Sequence, residues 1–200
     1  MIPALALAAV LAAPPSTPPV DGSHPPGTPG EAVPLPDAPA AWAPAIRRAE
    51  EAGQAFQKAL QARLMAAMAQ GGAAAAVDVC ATEAAGIARD QSAASGVRMG
   101  RTSERLRNPG NVPPAWARTF LLLSSGEKAK DVAPLAVDLG AEVGVLLPIA
   151  VRPACLGCHG PAAGIAPKVK EALAARYPRD QATGYADGDF RGFLWVESRK

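Results

Sequence analysis

Histidine and cysteine are scarce in this chain of 200 residues, which carries two of the former and three of the latter, and aromatic residues make up only 4%. A structural zinc needs four ligands, so no conventional zinc module can be assembled unless nearly every Cys and His joins it. An excess of one charge is also missing, with 20 basic against 18 acidic residues and a net charge of +2. The basic residues form no block interleaved with aromatics, which excludes a nucleic-acid surface and with it DNA or RNA as a partner. An apolar run long enough to span a bilayer is absent from the N-terminus. MIPALALAAVLAA is uncharged and apolar over thirteen residues, short of the roughly 20 that a membrane helix needs. It has the length of a signal-peptide core, so residues 1–13 are read as an export signal, giving a periplasmic or otherwise exported protein with no stable span in its mature form.

Proline is plentiful and unevenly placed. Residues 14–40, PPSTPPVDGSHPPGTPGEAVPLPDAPA, favour extended polyproline conformations and read as a disordered linker. His24 lies in it as a solvated bystander. Residues 41–200 are left as the folded domain, and with 49% hydrophobic residues in the chain there is material for a packed core.

Within that domain, Ile46, Ala49, Gly53, Phe56, Leu60, Leu64 and Met68 recur at helical spacing and stop at Gly71-Gly72, which predicts a long N-terminal helix. A second helix is expected from about Ala74 to Ser92, with Val77, Cys80, Ala84 and Ile87 on its inner face. VRMGRTS reads as a strand, AWARTFLLL as a short helix, PLAVDLG and EVGVLLPIAVR as a hairpin turning at Gly140, PKVKEALAARY as a helix and FRGFLWVES as a last strand. Strands that do not alternate regularly with helices point to an α+β domain on an antiparallel sheet.

The chemistry concentrates in PACLGCHGP, residues 153–161. In C-x-x-C-H each thiol can add to one vinyl group of a haem, and the histidine behind them then ligates the iron. Cys155, Cys158 and His159 fit that pattern and predict one covalently bound haem c. A thioredoxin-like dithiol would open a helix in a βαβ unit, whereas here Gly160-Pro161 interrupts the chain at once. A plain Cys155–Cys158 disulfide is the simplest alternative. For the opposite face of the iron the sequence offers Cys80, Met65, Met68 and Met99, or water. Arg101 and Arg107, among Arg98, Arg101, Arg105 and Arg107, are candidate contacts for haem propionates, since guanidinium forks match carboxylates.

The ordered motifs VDVCATEA, GVRMGRTSERLRNPGNVPPAWA, PACLGCHGP and YPRDQATGYADGDFRGFLWV, spread over residues 42–198, resemble the c-type haem-binding PAS-like domain family with His/Cys axial ligation, formerly a domain of unknown function. The resemblance implies a PAS-like antiparallel sheet flanked by helices, thioether bonds at Cys155 and Cys158, and His159 and Cys80 as the axial metal ligands. Tyr177, Tyr185 and Asp189 fall in its C-terminal motif and are expected to shape the turn before the last strand. The function expected is a redox-active haem protein that transfers electrons to a partner protein or responds to redox state without enzymatic turnover. The alternative is a redox or gas sensor, with NO or CO entering by exchange of the Cys ligand. A peroxidase-like enzyme fits less well, because the acid-base histidine such chemistry uses is lacking.

Overall fold

The computed structural model of the chain describes residue 30 and residues 32–200. The expected signal segment, His24 and most of the proline-rich stretch lie outside the described residues. The domain is α+β, built on one five-stranded sheet with every neighbouring pair antiparallel, in the order β1-β3-β4-β5-β2. The strands are β1 (Ala32–Pro34), β2 (Arg98–Thr102), β3 (Leu135–Asp138), β4 (Glu142–Ala150) and β5 (Phe190–Arg199). The architecture is consistent with a PAS-like sheet flanked by helices.

The first helix, α1 (Ala43–Thr82), packs on one face of the sheet, and Gly72 breaks it with φ 71° and ψ −171°. That is a conformation glycine adopts without penalty, and it falls where the Gly71-Gly72 pair predicts the stop. Beyond the break the expected second helix comes in two pieces. α1 continues to Thr82, Glu83 bends the chain with φ −110°, and α2 (Ala84–Ser95) ends at Gly96, whose φ of 64° makes it a left-handed cap.

Alternation along the strands sorts the two faces of the sheet. Val143 and Val145 of β4 and Leu194 and Val196 of β5 are fully buried against Ala45, Ala49, Phe56 and Leu60 of α1. Leu146 and Phe193 point the other way, into a second cluster with Ala117 and Leu121, on or beside the short helix α3 (Arg118–Leu123). Gly53 lets α1 approach closely, since a Cβ there would stand 2.8 Å from Leu194 Cδ2. By length and composition Ala40–Thr82 could cross a membrane, and 22% of its most apolar stretch is buried; one face of its first half, from Ala45 to Leu60, packs against the sheet.

The linker expected through residue 40 ends earlier, because Ala32–Pro34 pairs with Leu135–Val137 of β3 as an edge strand, where proline is tolerated.

Candidate haem site

The C-x-x-C-H motif leaves the sheet at the end of β4. Residues Pro153–Cys155 form a single 3-10 turn and Leu156–His159 a single α-helical turn, α4. Gly160 closes it. Its N–H donates to Leu156 O at 2.9 Å, and a Cβ at that position would lie 2.6 Å from the same oxygen, so a larger residue would push the turn open. Two backbone bonds then tie the motif to the C-terminal segment, Tyr185 N–H to His159 O at 2.9 Å and Gly184 N–H to Gly160 O at 2.7 Å. The two thiols face different surroundings. Cys155 packs with Val151, Ala182 and Tyr185, whereas Cys158 packs against Val77 of α1, Tyr177, and Val169 and Leu173 of α5 (Pro167–Arg176). Neither is in a disulfide.

His159 is held in one orientation. Its Nδ1 lies 2.7 Å from the carbonyl oxygen of Ala182, and its ring meets Tyr185 edge-on with centroids 6.4 Å apart. A carbonyl can only accept, so Nδ1 carries the proton and Nε2 keeps its lone pair, the state a metal-binding imidazole needs. Burial, with smaller contributions from the charges of Arg107 and Arg191, pushes the imidazole pKa down to about 3. His159 is therefore neutral near pH 7.

Arg107 braces the motif. Its Nη2 donates to Cys158 O at 2.6 Å and to Ala182 O at 3.1 Å, while Nε donates to Asp180 Oδ2 at 3.0 Å. Asp180 in turn accepts from Ala182 N–H at 2.8 Å. The side chains of this ion pair are only 9% and 12% exposed. Asp180 and Ala182 have no signal in the sequence, because a backbone carbonyl looks the same at every position. Asp180 could have been suspected only from its place between Tyr177 and Tyr185.

Cys80, on the last turn of α1, belongs to the same neighbourhood. Burial raises its thiol pKa, against the opposing charges of Arg101 and Arg107. Burial likewise raises that of Cys158, which feels Arg107, Cys80 and Cys155. The competing sulfurs lie in other settings. Met65 and Met68 are exposed on α1, and Met99 is buried in the sheet core.

The four arginines singled out in the sequence diverge in role. Arg98 pairs with Glu142 and Glu197, Arg105 stacks on Tyr185 at 4.1 Å and donates to Gln181 O, and Arg107 is committed as above. Arg101 points from β2 toward α1, 5.6 Å from the Phe56 ring centre, and makes no hydrogen bond or ion pair among the described residues. Desolvation lowers its pKa. Arg191, which sequence reasoning did not single out, donates to Ser103 Oγ and Arg105 O and lies 5.3 Å from the centre of the same Tyr185 ring. Asp189 accepts from Lys128 and from Ala186 N–H and so closes the turn before β5. Among the described residues no three His, Cys, Asp or Glu side chains converge as a cage for a bare metal ion. The donor set present is two thiols and an oriented imidazole on one turn, with a third thiol nearby, which fits a porphyrin-bound iron.

A family model described as Tll0287-like matches residues 42–198 of this chain. Among solved structures, the crystal structure of the cyanobacterial heme-protein Tll0287 is similar, with a TM-score of 0.54 and 22% identity over 82% of this chain and 97% of that one. No match was found among curated proteins.

Proposed function

The chain belongs to the Tll0287-like family, and from that membership and the geometry of its C-x-x-C-H turn we propose that it is a c-type haem protein with a redox role. The observation that carries this reading is the His159 imidazole, neutral and fixed through Nδ1 on Ala182 O, one residue after a thiol that is in no disulfide. Cys155 and Cys158 would carry the thioether bonds, and His159 and Cys80 would hold the iron. When bound, the haem iron supplies one-electron redox chemistry. The protein's part is to hold His159 in its tautomer, exclude water from the cluster around Cys158 and set the charge around Cys80. Such a site suits electron exchange with a protein partner, and the N-terminal apolar run supports an exported protein.

A second reading, sensing through loss of the Cys80 ligand to NO or CO, is favoured by one observation. Burial pushes the Cys80 thiol up, so a sulfur released from iron takes a proton and ceases to compete as a thiolate.

The test begins with the exported protein made alongside a c-type maturation system and treated with acidified acetone. The colour is expected to stay with the polypeptide; free extraction of haem would refute covalent attachment. Cys80→Ser is expected to alter the ferric low-spin spectrum and raise the reduction potential, since a thiolate favours ferric iron. An unchanged spectrum and potential would assign the sixth position to another group. Ferrous protein that refuses CO would remove the sensor reading.

A further inference from the structure

Away from the C-x-x-C-H turn, a cavity of about 400 Å³ opens between α2, β2 and the loop that follows Arg107. That volume is in the range of cofactor sites. Its wall combines two chemistries. Ala84, Ala88 and Trp195 make an apolar part, Arg89, Arg101, Asn108 and Asn111 supply hydrogen-bond donors, and no Asp or Glu lines it. Arg98 also borders the cavity, but Glu142 and Glu197 already neutralise it.

Arg101 is the informative residue. A guanidinium carries five N–H donors, and desolvating one without an acceptor is costly. Arg101 nevertheless has the Phe56 ring for company and no protein acceptor among the described residues. Arg89, exposed on α2 at the same cavity, likewise makes no ion pair among them. The cavity adjoins the candidate axial position, because Arg101 acts electrostatically on Cys80, and Ala84 and Ala88 follow Cys80 at intervals of four residues.

We propose that this cavity is the carboxylate-binding end of the cofactor site, where Arg101 and Arg89, with Asn108 and Asn111, receive the propionates of the porphyrin. The inference rests on the haem reading above. It replaces the sequence pairing of Arg101 with Arg107, whose Nε and Nη2 are spent on Asp180, Cys158 O and Ala182 O.

The test uses the full chain purified without covalent haem and two probes, iron-free protoporphyrin IX and its dimethyl ester, with binding read by porphyrin fluorescence. Neither probe can use His159 or Cys80 as an iron ligand, so the difference between them reports the carboxylates alone. The wild-type chain is expected to bind the diacid about tenfold more tightly than the diester, the scale of one charge-assisted hydrogen bond. Arg101→Gln should remove that preference by weakening the diacid alone. The exposed Arg89→Gln, which leaves the core untouched, should reduce it partway. Equal binding of the two probes by wild type, or an equal loss of both in the variants, would overturn the proposal. A chain that holds covalent haem yet lacks the diacid preference would overturn the propionate site and leave the haem reading standing. A chain that takes up neither porphyrin nor covalent haem would overturn both.

Discussion

The two lengths of α1 on either side of Gly72 are held by different forces. Before the break, Ala45, Ala49, Ala52, Phe56 and Leu60 are buried against the sheet, and the contact is close enough that a Cβ at Gly53 would press on the ends of Leu194 and Leu147. After it, Val77 packs on α5 while Cys80 sits in a neighbourhood of arginines. The first seam is apolar and complete in itself. The second contains Arg101, Arg107 and Arg191, whose pairing with buried carboxylate is limited to Asp180 among the described residues. Apolar burial makes a scaffold whether or not a ligand arrives, whereas the site end retains surplus positive charge that an anionic group would offset.

The contrast is broken most directly at the apolar seam. Leu194 is fully buried there, and Leu194→Ala should cost about 4 kcal/mol in urea denaturation, the transfer and cavity terms together. A loss below about 1 kcal/mol would show that the stability of the domain resides elsewhere.

At the site end, Arg107→Ala leaves Asp180 buried without its cation and should cost about 3 kcal/mol. Adding Asp180→Asn should restore roughly half of that, because the orphaned charge is then gone. If the double variant is as unstable as the single one, the lost Nη2 bonds to Cys158 O and Ala182 O matter more than the charge pair.

How much of this was legible beforehand follows from how local each signal is. The helix stop at Gly72, the turn at Gly140 and the strands β2 to β5 are written in spacing and turn residues over short stretches. The strand β1 was not, because three residues flanked by prolines have no period, and pairing with β3 alone makes them a strand. At the site, Cys155, Cys158 and His159 are adjacent in the chain and could be read together. The fold was needed to separate Arg101 from Arg107. Pleating of β2 turns Arg101 toward α1 beside Met99, while Arg107, past the end of the strand, falls against Asp180. Nothing in two arginines six residues apart distinguishes them.

A smaller effect sharpens the boundary between the two lengths. Gly72 combines φ 71° with ψ −171° and has open space around it, a backbone region that only glycine enters freely, so Gly72→Ala should cost about 2 kcal/mol through backbone strain. Gly72→Asn should cost as much, since the left-handed conformation that Asn tolerates has ψ near about +47° and Gly72 has ψ −171°. An unchanged stability in Gly72→Ala would mean that the helix can run through this point without loss.

The last effect is absent at neutral pH. Burial, with the neighbouring Cys80 adding to it, raises the Tyr177 phenol to about 12. Between pH 10 and 12 the unfolded chain gives up that proton and the folded one keeps it, so stability should fall as pH rises through this window. The chain has two tyrosines, and an absorbance titration at alkaline pH should show one component near 12 that vanishes in Tyr177→Phe. A Tyr177 that ionises at its ordinary pKa would place the second seam in contact with water.

The Ala182 carbonyl accepts from His159 Nδ1 and from Arg107 Nη2, and it belongs to a loop that is neither strand nor helix. One oxygen thus serves two masters, and a pull on either is felt by the other. A displacement of the 178–184 loop would turn the imidazole and loosen the Arg107 brace together.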